Sequence, residues 1–162
     1  MDMTALLIGA LSVACGVMGG VFFAFSTFAL RSLGALPAAA GIRAMQSMNI
    51  VAVTPVFMTA LFGTAVAAAG TAAYAATAGI GTATLPVVGG AAIYLVGVII
   101  VTIAGNVPLN NGLAAIDPDA GDALFIWTRY RRKWLAWNHL RTVSGILASA
   151  WFAYALRVLE SA

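Results

Sequence analysis

Asn138, His139 and Arg141 stand together at the mouth of an apolar segment running from Thr142 to Leu159. Imidazole is the side chain best suited to moving a proton near neutral pH. A guanidinium, helped by carboxamides, can hold a developing oxyanion. His139 is the only histidine in the chain. Ionisable groups are costly in hydrocarbon, so Arg141 and His139 at the edge of such a segment require a partner or a purpose. Two other places carry polar groups of the same kind. Arg43, Gln46 and Asn49 recur every three residues along one helical face, and Asn106 and Asn110 are four apart, one turn of a helix. Pro108 lies between the two asparagines; it lacks a backbone donor, so two arrangements are open: the helix persists with both asparagines on one face, or the segment unwinds and frees carbonyls to line a polar pocket.

The rest of the chain must position these groups, and its composition says in what solvent. Of 162 residues, 62% are hydrophobic and 8% charged, where a soluble domain carries roughly 25% charged residues. Most of the surface must therefore face lipid. Four apolar runs reach the ~20 residues needed to span a bilayer: about 5–30, 51–77, 85–103 and 138–159. Each is expected to be helical, since a helix satisfies its own backbone in hydrocarbon. The segment of about 120–137 follows Asp117-Pro118-Asp119, a helix-start signal, and interleaves Trp127, Tyr130, Trp134 and Trp137 with cations. It reads as a short amphipathic helix at the interface. The predicted class is all-α: one integral membrane four-helix bundle, with that interfacial helix before the last span.

Charge placement gives an orientation. Arg31 and Arg43 lie in the first link, the second link has no charge, and Arg129 to Lys133 lie in the third. The positive-inside rule puts links one and three in the cytoplasm of a bacterial-type plasma membrane and both termini outside. The basic run is read as a lipid-phosphate patch, and no nucleic-acid partner is expected. Met1–Thr4 holds Asp2 and no cation, so the first run reads as a retained span rather than a cleaved signal. Ser12, Gly16, Gly20 and Ala24 form a small-residue stripe suited to close helix contact, within the chain or in a homo-oligomer; Gly63, Ala67 and Gly70 offer a second. This topology brings the ends of three segments, with their polar groups, to one level.

Several chemistries are disfavoured. One His, one Cys and five acidic residues, confined to Asp2, the 117–122 turn and Glu160, do not make a usual zinc or iron site. Haem ligation by His139 with Met45 or Met48 is the remaining metal alternative. There is no phosphate loop, nucleophile elbow or carboxylate pair.

The blocks Gly20–Ser26, Gly41–Asn49 with Pro55–Met58, Asn106–Leu113 and Trp134–Thr142 are similar, in order and spacing, to those of the anthrone oxygenase family. The chain resembles that family over nearly its whole length, most strongly at Trp134–Thr142. The resemblance implies a four-helix membrane protein that oxidises anthrone-like polyketides or similar hydrophobic substrates with O2, without a cofactor. Arg43, Gln46, Asn49, Asn106, Asn110, Asn138, His139 and Arg141 fall on its motif positions. On that basis His139 would act as base, with Arg141, Asn106 and Asn110 stabilising the oxyanion. Arg43, Gln46, Asn49 and Asn138 would line the substrate site, and Phe22, Phe23, Phe25, Trp134 and Trp137 would cover the rings. The rival reading is a non-catalytic membrane accessory subunit or lipid- or small-molecule-binding protein. Proton-coupled transport is disfavoured because no acidic residue lies within the spans.

Overall fold

The computed structural model describes residues 3–161, and these contain helices and turns but no strand. The helices are α1 (Met3–Gly34), α2 (Ala38–Val51), α3 (Pro55–Ala78), α4 (Gly81–Ala114) and α5 (Ala123–Glu160). All but α2 are long and apolar enough to cross a membrane. Local sequence sets their ends. Thr54 caps α3 by accepting the Phe57 amide, with Pro55 in the first helical position, where its missing N–H costs nothing. Gly79 and Gly81 take positive φ (70° and 64°) in the tight α3–α4 turn, a conformation costly for any residue with a Cβ.

The outward faces are apolar: Leu6, Val13 and Val17 on α1 and Val143, Ile146 and Leu147 on α5 are exposed. Such surfaces suit acyl chains and not water. Tyr74, Trp151 and Tyr154 are exposed near one end of the bundle and Trp137 near the other, the placement of interfacial aromatic belts. Trp137 and Tyr154 are 17 residues apart on α5, ~25 Å along a helix, close to the hydrocarbon thickness.

α1 and α5 run antiparallel and form the tightest pair. Ser12 Oγ donates to the Ser149 carbonyl (2.9 Å) and Ser149 Oγ returns a bond to the Ser12 carbonyl (2.8 Å). A Cβ on Gly145 would stand 2.8 Å from the Gly19 Cα, so the backbones touch. The stripe in use is thus Ser12, Gly16 and Gly19; Gly20, assigned to it by spacing, meets nothing. The expected second stripe is also displaced. Gly63, Ala67 and Gly70 point outward, while Ala65, Ala68, Thr71 and Ala75 pack inward. In an all-apolar helix the rotation is set by neighbours, not by hydropathy.

One further expectation changes, and one open alternative is decided. The interfacial segment is not a separate helix: α5 runs unbroken for 38 residues, ~57 Å, so its first turns project beyond the hydrocarbon. There Trp127, Tyr130 and Trp134 are buried with Leu30, Leu33, Ile42, Met45 and Leu113, forming a small headpiece in which α2 lies against α5. Nor does Pro108 unwind α4. The helix continues to Ala114, and the chain absorbs the missing amide in a wide π-helical turn over Thr102–Asn106. Similar wide turns occur at Phe25–Ala29 in α1, Thr59–Gly63 in α3 and Leu95–Ile100 in α4. The carbonyl of Leu61, within the α3 turn, accepts from Tyr94 Oη (3.1 Å). A larger apolar core, built on Ile8, Met18, Phe22, Tyr94, Val98 and Phe152, fills the membrane part of the bundle. Between the two cores lies a polar layer.

Candidate functional site

Asn138 is at the centre of this layer and is wholly buried. Its Nδ2 donates to the Phe22 carbonyl (2.7 Å) and to Ser26 Oγ (2.8 Å), and its Oδ1 accepts from an Arg141 Nη2 (2.7 Å). Thr142 Oγ1 lies 3.0 Å from Ser26 Oγ and donates to the Asn138 carbonyl (2.9 Å). In a straight α-helix the Phe22 carbonyl serves the residue-26 amide; the wide turn starting at Phe25 loosens that pairing where Asn138 intrudes.

Arg141 is 6% exposed. Its other terminal nitrogen reaches Thr102 Oγ1 at 3.4 Å, and its Nε has no acceptor. The guanidinium carbon lies 4.4 Å from the centre of the Phe22 ring and 5.2 Å from that of Trp134. Among the described residues the ion pair is Arg43–Asp119 (2.6 Å), at the surface. Arg141 has no carboxylate partner; neutral oxygens and two aromatic faces hold it. Such contacts return only part of the hydration a buried cation gives up.

The second half of the layer belongs to α4. Asn106, 1% exposed, donates from Nδ2 to the Trp134 carbonyl (3.2 Å), and its Oδ1 has no donor. Asn110 Oδ1 accepts from both Tyr130 Oη (3.0 Å) and Trp134 Nε1 (2.9 Å). Phe25 packs on Trp134 with ring centres 5.6 Å apart. Asn49 is half-buried beside the Tyr130 hydroxyl. Asn106, Asn110, Asn138, Arg141, Phe22, Phe25, Trp134 and, at the edge, Asn49 are therefore brought together.

Five expected members are not, and one of them, Phe23, is 52% exposed on the surface of α1. His139 is exposed on the outer face of α5, in an open depression lined by Ala136, Trp137, Leu140 and Val143 of the same helix. Successive residues turn by ~100°, so His139 and Arg141 point ~200° apart and cannot address one molecule inside the bundle. The pairing of His139 as base with Arg141 as oxyanion holder does not form. Trp137 is half-exposed, its ring laid over Gly105 of α4, where a Cβ would stand 2.6 Å from it. Gln46 donates to the carbonyls of Leu113 (2.9 Å) and Ile116 (3.1 Å), closing the end of α4. Arg43 ties α2 to the α4–α5 link through Asp119. Both hold the headpiece together and lie outside the layer. Of the haem ligands weighed, Met45 is buried in the headpiece core, whereas Met48 and His139 are exposed. Among the described residues no three His, Cys, Asp or Glu side chains gather as a metal site would require.

Sequence reasoning gave Ser26, Thr102 and Thr142 no part in the site. The signal was one helical turn away in each case: Ser26 follows Phe22 by four, Thr102 precedes Asn106 by four and Thr142 follows Asn138 by four.

Fold and site together define a four-helix membrane protein with a buried, carboxylate-free cationic layer at one end of the bundle. The sequence profile of the anthrone oxygenase family matches residues 56–151, more than half of the chain and the part that carries Asn106, Asn110, Asn138 and Arg141. The chain belongs to the anthrone oxygenase family. No curated protein and no solved structure matches it significantly.

Proposed function

We propose that the protein is a membrane oxygenase acting on an anthrone-like or similarly acidic, hydrophobic aromatic substrate, with Arg141 as the group that holds the substrate oxyanion. The observation that carries this reading is the unpaired guanidinium: a cation kept in the bundle without a carboxylate invites an anionic ligand. The free Nε of Arg141 supplies a donor and the free Oδ1 of Asn106 an acceptor. Phe22 and Trp134 offer flat apolar faces.

The chemistry needs little else. Loss of a proton from the CH2 of an anthrone gives a delocalised oxyanion, which a nearby guanidinium stabilises. That anion passes one electron to O2; recombination of the radical with superoxide at the same carbon gives a peroxide anion, which takes a proton back from water to become the hydroperoxide and then loses water to leave the quinone. The sum is anthrone plus O2 to anthraquinone plus water. The proton leaves to interfacial water, with Arg141 lowering the cost of its departure. We take no cofactor to be required. Lipid concentrates both the substrate and O2 around the bundle, and the orientation that agrees with the basic links puts this end toward the cytoplasm.

One observation favours the rival, non-catalytic reading: most donors in the layer are satisfied internally, as in a structural network. Purified protein in nanodiscs, given an anthrone, separates the two through O2 uptake and quinone absorbance. Turnover in the wild type that disappears in Arg141→Gln supports the oxygenase. Equal rates in both, or none above protein-free nanodiscs for a panel of anthrones, would overturn it.

A further inference from the structure

The end of α4 and the start of α5 flank an open cleft of about 270 Å³ that borders the layer at Tyr130 and extends away from it. Leu109, Leu113, Phe125 and Ile126 make its walls apolar, while Arg129 and Lys133 stand at its mouth. These two cations are four residues apart, on one face of α5. Both are exposed, and neither pairs with a carboxylate among the described residues. Gly112 opens the floor: a Cβ there would meet nothing within 4 Å. Lys133 lies one turn, ~6 Å, beyond the interfacial Trp137, and Arg129 a further turn out, which is the level of lipid phosphates rather than of acyl chains.

We propose that this cleft is a binding site for one acidic phospholipid, its phosphate held by Arg129 and Lys133 and its glycerol and upper acyl carbons lying against Leu109, Gly112 and Phe125. The argument is charge complementarity at the right depth: two uncompensated cations over an apolar trough, in a protein always surrounded by such lipids. Neither neighbouring cation lines the cleft. Arg131 is folded back over Trp127 and toward Gly34, and Arg132 is exposed on another face of α5.

Native mass spectrometry of the detergent-purified protein, titrated with dioleoylphosphatidylglycerol or dioleoylphosphatidylcholine, tests this. The wild type should retain one phosphatidylglycerol in preference to phosphatidylcholine. Arg129→Gln with Lys133→Gln should lower that retention at least about tenfold. So should Gly112→Trp, which fills the trough and leaves the charge unchanged. Arg132→Gln with Arg157→Gln removes the same net charge elsewhere and should leave it intact. Equal retention of the two lipids, or equal losses in both double variants, would overturn the proposal, since either means diffuse surface charge. Displacement of the lipid by millimolar inorganic phosphate alone, or by stoichiometric naphthoate, would also overturn it, in favour of a free anion or a soluble aromatic acid. None of these readouts depends on turnover, so the result stands apart from the oxygenase reading.

Discussion

The Arg141 guanidinium sits 4.4 Å above the centre of the Phe22 ring, and no carboxylate among the described residues pairs with it. A cation–π contact of this kind is worth ~0.5–2 kcal/mol, less than the several kcal/mol lost on burying an ion. Even with its charge-assisted bond to Asn138 Oδ1 (2.7 Å), worth about 1.5–3 kcal/mol, the buried guanidinium gains no surplus over a hydrophobic residue of similar length.

That balance separates stability from function. Arg141→Met should leave the melting temperature in detergent unchanged or higher, while abolishing O2-dependent quinone formation. Arg141→Lys should lower turnover at least about 100-fold, because an ammonium lacks the planar fork that reaches Asn138 and Thr102 together. A sharp drop in melting temperature for Arg141→Met would reassign the residue to the fold.

Asn138 should behave oppositely. It joins the Phe22 carbonyl, Ser26 and Arg141 in one buried node. Asn138→Leu leaves Arg141 without its shortest bond and should cost about 2–4 kcal/mol, read as an earlier transition in SDS titration. A variant as stable as wild type would show that the node is not structural.

His139→Ala should keep turnover within about threefold of wild type, since the ring lies on the outer face of α5. General-base catalysis is worth about 100-fold or more. A loss on that scale would return the imidazole to the chemistry and require substrate to approach from the lipid side.

The α1–α5 crossing gives a prediction free of any functional assumption. Gly145→Ala drives a methyl against the Gly19 backbone and should destabilise the bundle by about 1–3 kcal/mol. Gly20→Ala, beside open space, should be neutral or stabilising by up to about 1 kcal/mol. Comparable melting points for the two variants would mean that the helices cross elsewhere.

The sequence by itself determined the all-α class, the existence of four spans and the gathering of Asn106, Asn110, Asn138 and Arg141 at one end, because hydropathy and polar-residue placement along a helix are local properties. What it could not set was the rotation of each helix about its axis. In a soluble bundle the apolar stripe marks the inside, but in lipid both faces are apolar and the stripe vanishes. Only packing decided that His139 faces out while Arg141 faces in. Packing likewise chose Gly19 over Gly20 as the contact with Gly145. It also brought Ser26, Thr102 and Thr142, ordinary hydroxyls in the sequence, around one buried cation.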